Sequence, residues 1–328
     1  MRCRVILGVL FASLCSVALA GPAYTDPDKA DADFPFQGEY SGVVKGEGEE
    51  QKIGLQVIAQ GKGKFRAVGY VGGLPGDGWN KIDHKEVEGE LQNGELVFSA
   101  EGIKAVVKNG EAKISVVEGN REIGSLGKVN RSSPTLGAKP AEGAIVLFAG
   151  KDQNQFEGGK VSEDGLLVQG CSSKQKFGSH KVHLEFRLPY QPEDRGQGRG
   201  NSGMYLQSRY EVQILDSFGL KGENNDCGGV YTVKAPDVNM CYPPLSWQTY
   251  DVEYHAAKFD KDGKVTQKAK MTVYHNGVLI HKDLELPADR GTTASPMGPG
   301  PSPGSLYLQD HGNPVRFRNV WVVELKDE

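Results

Sequence analysis

The sequence predicts an all-β protein in which a small antiparallel β domain precedes a larger two-sheet antiparallel sandwich. It contains 44 glycines among 328 residues and few long runs with helical periodicity. Short runs that alternate apolar and polar residues recur along the chain, as half-buried strands do. Asn93-Gly94 and Asn109-Gly110 separate such runs and are typical of tight hairpin turns. The length suits two domains.

The N-terminus has the pattern of an export signal. Arg2 and Arg4 precede an apolar run from Val5 to Leu19, which ends in the small-x-small pattern Ala18-Leu19-Ala20. We therefore expect residues 1–20 to be a signal peptide cleaved after Ala20, and the mature protein to be periplasmic or secreted. The alternative is an N-terminal membrane anchor, but the run is shorter than the ~20 residues that a helical span needs. No other stretch is apolar enough to cross a bilayer.

Composition divides the rest of the chain into four segments. Residues 21–33 are polar and turn-rich, and we expect a flexible leader there; residues 34–129 carry the short strands of the small β domain, whose role stays open. Residues 130–142, within NRSSPTLGAKPAEG, have the composition of a linker. The second domain follows at residues 143–328. We expect the two domains to fold separately and proteases to cut between them.

The charge pattern argues against a nucleic-acid partner. The chain carries 38 basic and 42 acidic residues, and the basic ones form no stripe or cluster. The composition predicts no membrane span after removal of the signal peptide, and it predicts no particular oligomeric state.

The cysteines predict one disulfide. Export implies an oxidising compartment, and Cys171, Cys227 and Cys241 remain after signal cleavage. Cys227 and Cys241 flank one loop, CGGVYTVKAPDVNMC, and are the expected pair, which leaves Cys171 free. There is no Cys-x-x-Cys, and the spacing matches no metal motif.

Four strand-like runs of the second domain carry many planar polar side chains on one face. In YEVQILD, Glu211 and Gln213 alternate with apolar residues. The corresponding residues of the other three runs are His183, Glu185, Arg187, Tyr307, Gln309, His311, Arg316 and Arg318. Such groups suit hydrogen bonding to sugars, and Tyr205, Tyr231 and Trp247 are suited to stacking on sugar rings. The alternative is an ordinary wet outer face. We expect the concave face of one sheet to gather these side chains into a site.

The same residues carry a resemblance to a known family. Matching segments run in order from Gly143 to Leu325 and include GNSGMYLQSRYEVQILDS, LSWQTYDVEY and LYLQDHGNPVRFRNVWV. On these segments the second domain resembles the 3-keto-disaccharide hydrolase family, which has a concanavalin-A-like jelly-roll fold. The resemblance implies a carbohydrate-active enzyme whose substrate is a glycoside oxidised at carbon 3, cleaved by hydrolysis or by elimination and hydration. Residues 34–129 are outside the resemblance.

That chemistry needs a base, an acid and a group that stabilises an enolate. We expect Glu211 and His311 to supply the base and the acid, and Arg316 or Arg318 to stabilise the enolate or hold sugar hydroxyls. The residues expected to orient the substrate are Gln213, Gln309, Asn201 and Tyr231. A divalent metal is a possible electrophile in place of the arginine, with Glu211 and His311 as ligands. Two such residues do not make a metal motif, so the cofactor stays unassigned.

Two other functions fit the same pattern. A jelly-roll sandwich can bind glycans without turning them over, so a non-catalytic glycan-binding module is the main alternative. A cell-surface structural protein with the small first domain as its adhesive part is a third possibility. The presence of both Glu211 and His311 favours an enzyme.

Overall fold

Strands dominate the described chain, as its alternating sequence predicts. The structure, a computed structural model, describes residues 21–46 and 48–326, so the predicted signal peptide lies outside the described residues. Three short 3₁₀ helices, Pro27–Lys29, Glu118–Asn120 and Gly196–Gly198, are the helical elements of this part of the chain. None of the helices that the structure describes has the length and apolar character of a membrane span.

Eight antiparallel strands between residues 38 and 129 close into a barrel. They are β1 (Gly38–Lys45), β2 (Glu50–Gly61), β3 (Lys64–Val71), β4 (His84–Gln92), β5 (Glu95–Ala100), β6 (Ile103–Lys108), β7 (Glu111–Val116) and β8 (Arg121–Val129). Each strand pairs with the next, and β1 also pairs with β8. Tyr40, Val57 and Phe65 are fully buried, so apolar side chains fill the interior. The predicted Asn93-Gly94 and Asn109-Gly110 turns join β4 to β5 and β6 to β7, and all four residues have positive φ.

The remaining strands form a sandwich of two antiparallel sheets. They are β9 (Ile145–Phe148), β10 (Phe156–Glu157), β11 (Leu167–Val168), β12 (Cys171–Phe177), β13 (His180–Arg187), β14 (Ser202–Leu206), β15 (Tyr210–Ile214), β16 (Trp247–His255), β17 (Lys258–Phe259), β18 (Val265–Gln267), β19 (Lys270–His275), β20 (Val278–Glu285), β21 (Gly304–Leu308) and β22 (Arg316–Glu324). Sheet A has five strands in the order β10-β12-β21-β14-β15. Sheet B has seven, in the order β11-β22-β13-β16-β19-β20, with β9 paired to β22. Strands β17 and β18 form a separate two-stranded ribbon.

The core lies between the two sheets. Val212 and Leu308 of sheet A and Leu184 and Phe317 of sheet B are fully buried there and belong to one apolar cluster. Because side chains alternate along a strand, each sheet also has an outer face that points away from this core. The predicted all-β fold with a C-terminal sandwich is confirmed.

The segment expected to be a flexible leader has defined contacts. Tyr24 and Tyr190 exchange two backbone hydrogen bonds of 2.9 Å. Asp33 is buried, and its carboxylate accepts from the Gly63 backbone N–H at 2.9 Å. Residues 21–33 therefore touch both the sandwich and the barrel.

The segment expected to be a linker lies on the outer face of sheet B. Ser133 Oγ and Thr249 Oγ1 are 2.6 Å apart, and Thr135 Oγ1 donates to Asp251 Oδ2 at 2.6 Å. Arg131 pairs with the buried Glu39 of the barrel at 2.5 Å. Polar side chains typical of linkers therefore act here as hydrogen-bonding partners, and the longest unbroken exposed run of the segment is residues 139–143.

The barrel packs against loops at one end of the sandwich. Its residues Ile58, Val68 and Tyr70 belong to the apolar cluster of the sandwich. Arg199 of the sandwich donates to the Ala59 carbonyl of β2 at 3.3 Å. The two domains thus share an interface that is partly apolar and partly hydrogen-bonded.

Cys171, Cys227 and Cys241 are buried free thiols in the structure. The predicted Cys227–Cys241 disulfide is therefore not formed here. The two thiols are nevertheless neighbours, since burial and the adjacent Cys227 thiol raise the pKa of Cys241. Cys227 Sγ also lies 3.2 Å from Tyr250 Oη. The disulfide stays a prediction for the oxidised protein.

Candidate active site

The outer face of sheet A carries the polar residues of YEVQILD. Glu211 on β15 lies directly opposite Tyr205 on β14, and Gln213 lies opposite Gly203. Gln309 follows β21, and its backbone N–H donates to the Gly203 carbonyl at 2.9 Å. Strand alternation turns Glu211, Gln213 and Gln309 to the same side of the sheet, as the sequence predicts.

Hydrogen bonds cross this face from Gln309 to Glu211. Gln309 Nε2 donates to Tyr205 Oη at 3.1 Å, and Tyr205 Oη donates to Glu211 Oε2 at 2.8 Å. The Thr293 carbonyl offers the same hydroxyl a second acceptor at 3.3 Å. A hydroxyl has one proton, so it donates to one acceptor at a time. Tyr205 can therefore change its acceptor by rotating the hydroxyl when Glu211 gains or loses a proton.

The Glu211 carboxyl is desolvated. Its side chain is 2% exposed, and burial raises its pKa to about 8 against the opposing effect of the Tyr205 hydrogen bond. The carboxyl lies over Gly203, where a Cβ would overlap Glu211 Oε1. In the described part of the chain no Lys, Arg or His forms an ion pair with it. A carboxyl that titrates near neutral pH beside other polar groups is typical of a general acid or base.

Primary amides line the side of the site next to Glu211. Gln213 Nε2 donates to Gln197 Oε1 at 3.0 Å, and Asn201 Nδ2 donates to the Gln197 carbonyl at 2.7 Å. Asn201 is 1% exposed, and its Oδ1 accepts no hydrogen bond within the described structure. The Asn201 backbone N–H donates to Asn313 Oδ1 at 3.0 Å. A buried acceptor costs stability when no donor bonds to it. Asn201 Oδ1 is therefore suited to accept a hydrogen bond from a sugar hydroxyl.

Two loops cover the edge of β15. The Tyr231 backbone N–H donates to the Glu211 carbonyl at 3.2 Å, and Thr292 Oγ1 accepts from the Glu211 N–H at 3.0 Å. Tyr231 is half-buried and Tyr307 packs against Tyr205 with ring centres 5.4 Å apart. Tyr231 and Tyr307 therefore lie at the rim, between the buried carboxyl and solvent.

His311 lies on an exposed loop after β21. It follows Gln309 by two residues and precedes Asn313 by two, and both of those residues contact the site. No hydrogen bond joins His311 to Glu211 within the described structure. His311 is thus a rim residue. Its neighbours in the chain contact the site, but in the described part of the chain it makes no hydrogen bond to Glu211 itself.

Arg316 and Arg318 lie on the other side of the sandwich. Both belong to β22 of sheet B, and their side chains point away from the core that buries Phe317 between them. Arg318 pairs with Glu185 at 2.6 Å. Neither arginine joins Glu211, and the expected single polar face is divided between the outer faces of two sheets. This corrects the expectation that one concave face gathers all four strands.

The correction has a simple cause. Alternation tells which residues of a strand face the core, but both sheets of a sandwich have a polar outer face. After β21 the chain crosses from sheet A to sheet B. Gln309 and Arg316 therefore lie on opposite outer faces of the sandwich, although only seven positions separate them in the sequence. His183, Glu185 and Arg187 on β13 lie on the outer face of sheet B for the same reason.

Several residues of the site are not apparent from the sequence. Tyr205 has the aromatic ring that predicts stacking on a sugar, yet its hydroxyl joins Gln309 to Glu211. Gln197 belongs to the short 3₁₀ helix Gly196–Gly198 and Thr293 to a loop, and neither segment has a periodic pattern. The sequence offers one signal for Gly203 and Tyr205. They alternate along β14 in the same phase, which places them opposite Gln213 and Glu211 on the next strand.

The structure assigns no metal. Within the described residues no group of three or more His, Cys, Asp or Glu side chains is arranged to hold an ion.

Comparison with known proteins agrees with the fold. The sequence profile of a family described as the 3-keto-alpha-glucoside-1,2-lyase-like domain matches residues 143–323, which is more than half of the chain. A crystal structure of a Parabacteroides distasonis protein, provisionally named a glycosyl hydrolase, is 33% identical with a TM-score of 0.50 and covers 56% of this chain and 84% of its own. No curated protein matches the chain.

Two other Parabacteroides distasonis crystal structures with the same provisional name are less similar. They are 21% and 18% identical, with TM-scores of 0.37 and 0.39. They cover 58% and 56% of this chain, and 93% and 99% of their own. On the profile match and on the sandwich that carries it, the chain belongs to the family of the 3-keto-alpha-glucoside-1,2-lyase-like domain.

Proposed function

We propose that this carbohydrate-active enzyme cleaves the glycosidic bond of 3-keto-glycosides, with Glu211 as the group that exchanges a proton with the substrate. The observation that carries the proposal is the buried Glu211 carboxyl, whose pKa is raised to about 8, on a face lined by amides and phenols. Family membership supports a carbohydrate substrate. The pattern of residues 1–20 supports action in the periplasm or outside the cell.

Elimination is the route that best uses such a carboxyl. A ketone at carbon 3 acidifies the hydrogen on carbon 2. The ionised Glu211 takes that proton, a C1=C2 double bond forms through the enolate, and the C1–O bond breaks as the aglycone oxygen acquires a proton from an acid. Water then adds across the double bond. His311 at the rim is the candidate acid, since catalytic contacts often tighten only when substrate binds.

Neutral donors take the place of the arginine in stabilising the enolate. Arg316 is on the opposite side of the sandwich, whereas Tyr205 and Gln309 present hydrogen-bond donors beside Glu211. Preorganised donors in a water-poor site stabilise developing negative charge strongly. Gln213 and Asn201 are placed to hold sugar hydroxyls.

Turnover of a 3-keto-glucoside, compared with its unoxidised parent, tests the proposal. Glu211→Gln should keep the fold and lower the rate on the order of a hundredfold or more. Arg316→Ala is the matched control, because its site on the other face should leave turnover unchanged. Since the base must be ionised, the rate of proton removal from carbon 2, measured as exchange of that hydrogen with solvent, should rise as pH increases through about 8.

The product separates the alternatives. In D₂O, elimination and hydration place deuterium on carbon 2 faster than an enzyme-free control, whereas direct hydrolysis does not. Full turnover by Glu211→Gln with unchanged melting would place the chemistry elsewhere. Saturable binding of the 3-keto-glycoside by the wild type, without any product, would make the sandwich a glycan-binding module.

A further inference from the structure

A second cluster of charged side chains lies on the outer face of sheet B, away from Glu211. Arg187 on β13 lies directly opposite Arg316 on β22 and directly opposite Trp247 on β16. The guanidinium carbons of Arg318 and Arg187 lie 3.9 Å and 5.2 Å from the centre of the Trp247 ring. These four residues are called the arginine–tryptophan cluster below.

The cluster places two like charges directly opposite each other, which is unfavourable in a sheet. The third arginine, Arg318, is neutralised by the buried Glu185 at 2.6 Å. Within the described residues, neither Arg187 nor Arg316 forms an ion pair with a buried carboxylate. Arg187 Nη2 pairs with Asp164 at 3.5 Å, and the Asp164 side chain is 58% exposed.

The other polar contacts of the two arginines are weak or neutral. Arg187 Nη2 donates to the Thr25 carbonyl at 3.1 Å. Arg316 Nη1 lies 3.4 Å from Gln169 Oε1 and 3.2 Å from its own neighbour's carbonyl. Burial lowers the pKa of both arginines. Arg318 lowers the pKa of Arg187 further and Arg187 that of Arg316, whereas Asp164 acts in the opposite direction on both. The pair therefore keeps an excess of positive charge in a half-buried position.

We propose that the arginine–tryptophan cluster binds an oxyanion, the carboxylate, sulfate or phosphate group of a ligand, between Arg187 and Arg316. Guanidinium groups hold such anions through two parallel hydrogen bonds. A bound anion converts the unfavourable pair into two favourable contacts. Trp247 packs against the guanidinium groups of Arg318 and Arg187, which helps to hold Arg187 in position beside the anion. The inference concerns a different face from the catalytic proposal and does not depend on it.

Isothermal titration of the full mature chain with sulfate, phosphate and glucuronate tests the site, with NaCl at matched ionic strength as the reference. We expect saturable one-site binding of at least one of the three, together with a rise in Tm. Preference for glucuronate would identify a sugar carboxylate, and preference for an inorganic anion would identify sulfate or phosphate. Equal Tm changes in all salts, without saturation, would overturn the proposal.

Matched variants locate the binding. Arg187→Gln and Arg316→Gln should each weaken it by at least about tenfold, the scale of one hydrogen bond to a charged group. Arg290→Gln, an exposed arginine paired only with Asp289, should leave it unchanged. If Arg316→Gln binds as tightly as the wild type, the anion binds elsewhere and the proposal is wrong.

Asp164 gives an independent test with the opposite sign. Its carboxylate occupies the position of a competing anion beside Arg187. Asp164→Asn should therefore tighten binding of the external anion. Unchanged or weaker binding in Asp164→Asn would contradict the assignment of the anion to this cluster. Glu211→Gln should bind the anion like the wild type, whatever its turnover.

Discussion

The pKa of Glu211 follows from the neighbours that the sheet gives it. Gly203, over which the carboxyl lies, leaves the space, and Tyr205 supplies a neutral donor in place of a cation. Desolvation is therefore not offset by an ion pair, and the protonated form is favoured. This arrangement has a cost in stability that depends on pH.

We expect the folded state to lose stability as pH rises from 4.5 to 8. The Glu211 carboxyl has an ordinary pKa of 4.5 and a folded pKa of about 8, so in this range the unfolded chain releases a proton that the folded chain keeps. Glu211→Gln removes this effect. Its stability relative to wild type, measured by urea unfolding, should be constant below pH 4.5 and increase toward pH 8. A difference independent of pH would show that the carboxyl is not desolvated.

Gly203→Ala should disable the site while leaving the sheet intact. The added Cβ would overlap Glu211 Oε1, so the carboxyl must leave Tyr205. We expect a loss of about 1–3 kcal/mol in unfolding free energy, as for overpacked interiors, and a large fall in turnover. Gly127→Ala on β8, where nothing lies within 4 Å of the new Cβ, is the control. Wild-type turnover in Gly203→Ala would mean that the position of Glu211 is unimportant.

At the scale of elements, the segment between the domains is hydrogen-bonded to the outer face of sheet B. The Gly137 backbone N–H donates to Glu185 Oε1 at 2.6 Å, and Asn319 Nδ2 donates to the same oxygen at 2.8 Å. Burial alone would raise the pKa of Glu185, but the nearby His183 ring and hydrogen bonds from Asn319 and Arg318 lower it to about 2. Glu185 is thus a structural carboxylate, in contrast to Glu211.

Removal of Glu185 should therefore cost stability and not catalysis. We expect Glu185→Gln to lose about 2–3 kcal/mol, less than the 3–5 typical of a fully buried pair because Arg318 is partly exposed. The contribution exists above pH 4.5 and disappears as pH falls toward about 2, because the carboxylate must then be protonated. Chemical unfolding at pH 7 and pH 3 measures it. Glu253→Gln, which breaks an exposed pair with Lys181, should change stability by about 1 kcal/mol or less.

The Cys227–Cys241 loop gives a second test at this scale. The two buried thiols are neighbours, so oxidation can join them. In the exported protein we expect a bridge that adds roughly 3 kcal/mol on the chain-entropy model. Mass spectrometry of the non-reduced protein identifies it. Two free thiols, or a bridge from either residue to Cys171, would exclude this pairing.

At the scale of the molecule, the barrel contacts the segment between β13 and β14 that carries Gln197 and Asn201. Arg195 donates to the Gln60 carbonyl at 3.0 Å, and Lys62 pairs with Glu193 at 2.7 Å. Arg199, between Gln197 and Asn201, also reaches the barrel. We infer that the barrel supports one wall of the candidate active site.

Limited proteolysis tests the proposed division into two domains. We expect cleavage within residues 139–143, which are exposed, and protection of Ser133 and Thr135, which are hydrogen-bonded. The two pieces should stay together in gel filtration because barrel side chains enter the sandwich cluster. Refolding of the piece from Gly143 by itself supports separately folding domains. Its failure to refold would mean that the domains share one core.

The sequence by itself determined the strands, the turns and the two-part order of the chain. Alternation and Asn-Gly pairs are local signals, so β4, β5, β6 and β7 and their hairpins could be predicted without tertiary information. The same local rule placed Glu211 and Gln213 on one face. The motifs of residues 143–325 also indicated the family.

Only the tertiary structure decided which polar faces meet. Three features depend on contacts between residues distant in sequence. They are the closure of the barrel, the packing of residues 21–33 and 131–138, and the separation of Arg316 from Glu211. Alternation has a period of two and carries no information about which sheet a strand joins. The raised pKa of Glu211 likewise depends on Gly203 and Tyr205 from a neighbouring strand and on the loops that exclude water, so no reading of β15 alone could have predicted it.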